Sequence, residues 1–135
     1  MIRQEKKSIV FDFDGVIHPN VSDWQGISKA PDPPNLEVVE TIRRLHQRGF
    51  KVIIQSARCS VPAGLWAIKN YIKTHNIYVD DIVAHKPAAL CYVDDRSICF
   101  TPGMNLFAAI MNFKPWSETA TSIEELNDTE GELLT

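Results

Sequence analysis

Hydrophobic and polar positions along this chain alternate between two patterns: short continuous apolar runs that end at turn residues, and longer stretches with apolar positions three or four apart. The first run, residues 8–13, predicts a buried strand. Residues 16–34 then carry Pro19, Asn20, Gly26, Pro31, Pro33 and Pro34, which predicts an irregular loop. From Leu36 the positions Leu36, Val39, Ile42 and Leu45 have helical spacing and Gly49 supplies a stop, so a helix of about 13 residues is expected. Residues 50–55 read as a second buried strand. A second helix starts near Pro62 with Ser60 as its cap, buries Leu65, Ile68 and Ile72, and ends at Asn76. Residues 77–84 form a weaker strand interrupted by Asp80 and Asp81, residues 90–93 a fourth strand, and Ile98-Cys99-Phe100 a fifth. Residues 104–112 have the character of a further helix. Ser122-Ile123-Glu124-Glu125 has capping-box spacing, which leaves a short helix or a disordered end open.

Strand, helix, strand, helix, strand is the signature of a doubly wound α/β fold with a mostly parallel sheet. At 135 residues with 44% apolar content, the chain suits a single domain with a real core. No stretch approaches the roughly 18 continuous apolar residues of a membrane span, and the N-terminus lacks a signal-peptide pattern, so a cytoplasmic protein without membrane partners is expected. Cys59, Cys91 and Cys99 have no metal-type spacing and are expected as reduced thiols. The net charge of −3 conceals an asymmetry. Glu118, Glu124, Glu125, Asp128, Glu130 and Glu132 all follow Trp116, and the rest is mildly basic, as suits an anionic substrate. The expected organisation is therefore one domain over residues 1–116, followed by an acidic tail or short helix over 117–135.

The chemistry concentrates where strands end. Asp12 and Asp14 close the first strand on the same side of an extended backbone. Two like charges about 4 Å apart cost roughly 4 kcal/mol at an effective dielectric of about 20. A cation, a proton or a sharp turn at Gly15 relieves that repulsion. Ser56 and Arg58 follow the second strand, and Asp94 and Asp95 follow the fourth. In a parallel sheet these ends share one edge, where open α/β folds bind ligands. Lys86 precedes the fourth strand and needs a short reach back. No G-x-G-x-x-G follows the first strand, which argues against a dinucleotide enzyme.

In this order the motifs resemble those of the haloacid dehalogenase superfamily of phosphohydrolases. Asp12-Phe13-Asp14-Gly15-Val16-Ile17 matches the first motif, Ile53-Ile54-Gln55-Ser56 the second, Lys86 the third and Val93-Asp94-Asp95 the fourth, over residues 8–100. The resemblance implies a three-layer Rossmannoid core. It also implies a phosphatase in which Asp12 attacks phosphorus to form an aspartyl-phosphate and Asp14 acts as general acid and base. The acid role requires an upward pKa shift at Asp14. Mg²⁺ is then held by the Asp12 carboxylate, the Asp14 backbone carbonyl, the Asp94/Asp95 pair and waters, with Asp95 favoured as the inner ligand. Ser56 and Lys86 bind the substrate phosphate. Arg58 either forks onto that phosphate or pairs with an acid.

Other residues carry less chemistry. His18 is read as a solvent-facing loop histidine, with substrate contact as the alternative. Trp24 is read as packing its loop down, with stacking on a base or sugar as the alternative. Cys59 has no activating histidine, and Trp66 and Trp116 are read as packing residues. Neither motif gap leaves room for an inserted cap domain. In the family, a cap-less plan implies an open site for nucleotides, nucleic-acid ends or other large phosphorylated substrates, or a site closed by an oligomer partner. The rival readings are a receiver-like phosphoacceptor and an inactive binding module of the same fold.

Overall fold

The computed structural model of the chain describes residues 7–114. The chain divides into two compact units, Met1–Asp94 and Asp95–Thr135. The first unit is built on four strands, β1 (Ser8–Asp12), β2 (Lys51–Gln55), β3 (Asp81–Val83) and β4 (Cys91–Val93). They form one all-parallel sheet in the order β3-β2-β1-β4. Phe11 lies opposite Ile54 on one side and Val93 on the other, so β1 is central. Central parallel strands are buried on both faces, which is why β1 and β2 are continuous apolar runs. The edge strands are three residues long and half exposed, a common way to blunt a sheet edge.

Helix α1 (Leu36–Gln47) connects β1 to β2, and α2 (Pro62–Thr74) connects β2 to β3. Each ends in a left-handed residue. Gly49 (φ 84°) donates to His46 O while Phe50 donates to Leu45 O, and Asn76 (φ 56°) with Ile77 repeats the arrangement on Lys73 and Ile72. Both expected stops are present for this reason. Leu36, the first residue of α1, is 79% exposed, and the Asn35 side chain before it donates to Val16 O. The buried face of α2 differs from expectation. In α2 the buried stripe is Gly64, Ala67, Ile68 and Tyr71, Leu65 and Ile72 are half-buried, and Trp66 lies exposed.

The expected cap of α2 is also corrected. Ser60 bonds Ala57 O inside a single 3₁₀ turn, Ala57–Ser60, and Val61 precedes the helix without a side-chain cap. The β3–β4 connection, residues 84–90, contains no helix. The core joins Ile9, Phe11, Phe13, Ile17, Ile42, Val52, Ile54 and Ile68.

In the second unit the expected fifth strand is absent: residues 98–100 are irregular, with Phe100 exposed. The helix is α3 (Leu106–Met111), shorter than the expected 104–112, and Asn105 caps it by accepting from Ala108 N at 3.1 Å. Among the described residues no helix is long and apolar enough to cross a membrane. Trp116, the acidic tail and its capping-box segment lie outside the described residues.

Candidate metal centre

Asp12 is the last residue of β1, and Asp94 directly follows β4. The sheet order reverses between these two strands: the chain runs outward from β1 through β2 to β3, then returns to add β4 on the other side. Open α/β sheets bind ligands beyond the carboxyl ends of the strands at such a switch point. Carboxylate oxygens of Asp12, Asp94 and Asp95 lie there within 4.8 Å of one another. At that spacing each like-charged pair costs about 3 to 4 kcal/mol at an effective dielectric of about 20. One Asp12 oxygen accepts from Phe13 N at 2.9 Å. The Asp95 side chain is 3% exposed, with Arg96 Nε 3.9 Å away. Three hard oxygen donors with part of their charge out of water form a set that could hold a metal ion.

Asp14 is not one of the three acids of this cluster. Gly15 adopts φ 90° and donates to His18 O at 2.7 Å, while His18 N donates to Phe13 O, so the chain doubles back at the end of β1. Arg58 then forks onto Asp14, Nε to Oδ2 at 2.7 Å and Nη2 to Oδ1 at 2.9 Å, and His18 Nδ1 reaches Oδ1 at 3.0 Å. Burial raises the Asp14 carboxyl, but the hydrogen bonds from His18 and Arg58 and the Arg58 charge outweigh it and hold the group below the usual carboxylate range. The upward shift expected for a general acid is therefore not produced, because a bidentate guanidinium stabilises the charged form.

Arg58 is paired with an acid, Asp14, in this structure. It is buried, and Nη1 donates to Ile27 O and Lys29 O, both at 2.8 Å, so Asp14 and the loop together take bonds from all three of its nitrogens. The guanidinium carbon lies over the rings of Phe13 and Trp24, 5.5 and 4.5 Å from the two centroids.

His18 is buried rather than solvent-facing. Its Nε2 accepts from Asp32 N at 3.2 Å, which leaves the ring proton on Nδ1 for Asp14. Asp32 in turn gathers Val21 N, Ser22 N and Ser22 Oγ, at 3.1, 3.0 and 2.5 Å, and Tyr71 Oη donates to Asp32 O at 2.7 Å. Sequence reasoning passed over Asp32 and Tyr71. A lone acid between two prolines and a tyrosine in a helical stripe carry no local signal of this network.

Ser56 is buried at the end of β2. Its Oγ accepts from Arg58 N at 3.2 Å, and its hydroxyl proton remains a donor. Lys86 lies exposed in the β3–β4 connection with Nζ 4.4 Å from the Tyr92 ring centroid. Burial pushes the Cys59 thiol up, which fits an inert side chain.

No family model and no curated protein matches the chain. Among solved structures, it is similar to a chain in the structure of the Pnkp1/Rnl/Hen1 complex, with a TM-score of 0.51 and 18% identity. The match covers 83% of this chain and 37% of that chain, and the likeness is one of fold.

Proposed function

We propose that the chain is a Mg²⁺-dependent phosphohydrolase of the haloacid dehalogenase type, with residues 1–116 as its catalytic domain. The observation that carries this reading is the meeting of Asp12, Asp94 and Asp95, distant in sequence, at the switch point of a parallel sheet. The order of the four motifs supports it. Asp12 attacks phosphorus in line, its oxygen–phosphorus bond forms as the leaving oxygen departs, and water then hydrolyses the aspartyl-phosphate. Asp14, two residues on, exchanges the protons of the leaving oxygen and the water. Ser56 donates to a phosphoryl oxygen, and Lys86 balances negative charge. Asp12, Asp94 and Asp95 would hold the Mg²⁺, with the Asp14 carbonyl as a further oxygen donor, and the bound ion would neutralise charge on the carboxylates and phosphate. An uncapped site suits a nucleotide, a nucleic-acid end or another large phosphorylated substrate.

One observation favours a second reading. The Asp14 carboxylate is tied to Arg58 and His18, and an acid held in its charged form is a poor proton donor to a leaving group near neutral pH. A phosphoryl group on Asp12 would then persist, as in a receiver-like phosphoacceptor.

Hydrolysis of an aryl phosphate, measured with Mg²⁺ and with EDTA, tests both. The phosphohydrolase reading expects turnover that EDTA abolishes and that Asp12→Asn lowers by at least about 10³-fold, in the range seen when a nucleophile is lost. Labelling of Asp12 that lasts minutes to hours without turnover supports the phosphoacceptor. Turnover retained in Asp12→Asn overturns both.

A further inference from the structure

Trp24 stands in the loop between β1 and α1 and is 58% exposed. A tryptophan that only packed its loop down would bury its ring, since exposing it forgoes a large apolar contribution. The loop nevertheless holds this indole in place from both flanks. On one side Val21 N, Ser22 N and Ser22 Oγ are bonded to the buried Asp32. On the other, Ile27 O and Lys29 O accept from Arg58 Nη1. Beneath the ring, the Arg58 guanidinium carbon is 4.5 Å from the centroid. That guanidinium also forks onto Asp14, two residues from Asp12. The indole is thus fixed to the same edge of the sheet as the acids, with its remaining surface open to solvent. Fixing an aromatic before the ligand arrives removes ordering cost from binding.

We propose that Trp24 is a stacking platform for the nucleobase of a phosphorylated nucleotide unit, either a free nucleotide or the end of an oligonucleotide. This deepens the phosphohydrolase reading and rests on it. A base offers a flat π-face to the open indole, and a saturated sugar phosphate offers none. Stacking of this kind tolerates sequence, since every base has such a face.

The test uses the full chain with Mg²⁺ and three substrates: a nucleoside monophosphate, a single-stranded oligonucleotide with a terminal phosphate, and an abasic deoxyribose phosphate. Trp24→Ala is expected to lower the ratio of kcat/KM for base-bearing over abasic substrate by about 5- to 100-fold, with Trp24→Phe recovering most of it. A fall with the nucleoside monophosphate assigns the platform to the base of the reacting unit. A fall with the oligonucleotide alone assigns it to a neighbouring base. An unchanged ratio overturns the role of Trp24 while leaving the phosphohydrolase intact. Wild-type chain that turns over none of the three overturns the underlying reading, and this inference with it.

Indole fluorescence in EDTA provides a measurement that does not depend on the folding of Trp24→Ala. Saturable quenching by the oligonucleotide is expected in the wild type and not in Trp24→Phe. Equal quenching in both overturns the proposal.

Discussion

Asp32 receives three hydrogen bonds from residues 21 and 22 and lies against the ring of His18, whose Nε2 is 3.5 Å from Oδ2. Burial raises its carboxyl, but the Ser22 side-chain and backbone bonds, His18 and Val21 outweigh that and hold it below the usual value. The unfolded chain therefore takes up this proton first as pH falls, from about pH 3.9 downward. The stability Asp32 contributes is fully present above that value and is lost as pH drops through the lower folded-state value. Asparagine keeps the shape but not the charge. Asp32→Asn is expected to cost about 1–3 kcal/mol at pH 7 in urea unfolding, and the gap to wild type should narrow toward about pH 3. A gap that stays constant across this range would mean the hydrogen-bond charge is not what stabilises the loop. Arg58 illustrates the complementary point. A buried guanidinium must find partners for its donors, so its pairing with Asp14 and two loop carbonyls follows from burial, which sequence does not report.

Gly64 lies in the first turn of α2, and a Cβ built on it would sit 2.0 Å from the carbonyl oxygen of Arg58 and 2.9 Å from its Cα. These are backbone atoms of the 3₁₀ turn that carries Arg58, and they cannot swing aside. Helix propensity alone predicts that Gly→Ala stabilises by about 1 kcal/mol. The close approach predicts the opposite sign, with Gly64→Ala destabilising by about 1–3 kcal/mol in thermal or urea unfolding as the helix is forced off the turn. The two expectations differ in direction, so one melting curve separates them. The same contrast between local and tertiary causes divides what was legible at this scale. β1 and β2 were readable because both faces are buried and the apolar run is uninterrupted. The helix stops were readable because Gly49 and Asn76 tolerate left-handed backbone. The fifth strand and the Ser60 cap failed, because pairing partners and cap donors are set by neighbours distant in sequence. Among site residues, the acids at strand ends were legible as a group. The diversion of Asp14 to Arg58 was not, since it depends on how the turn at Gly15 and the 3₁₀ turn meet.

Across the molecule, the sheet order turns three scattered acids into one electrostatic problem. Two parallel crossovers carry the chain from β1 to β3, and the return to β4 sets the end of that strand beside the end of β1. Asp12 sits on one end, and Asp94 and Asp95 follow the other, so the topology itself collects like charges within 4.8 Å. A folded chain that gathers anions in this way binds a divalent cation more tightly than the unfolded chain, where the acids are far apart, and the difference appears as stability. Mg²⁺ is therefore expected to raise the melting temperature in a saturable manner, reaching about 2.7 kcal/mol of added stability at 100 times its dissociation constant. Sodium chloride at matched ionic strength should not reproduce the shift, because screening acts on all surface charges and not on one cluster. Asp94→Asn removes one charge at an exposed position and should weaken the Mg²⁺-dependent shift while leaving a cooperative transition. If Mg²⁺ moved the melting temperature of wild type and Asp94→Asn equally, the cluster would not be the site of binding, and the meeting of these strand ends would be a matter of fold alone.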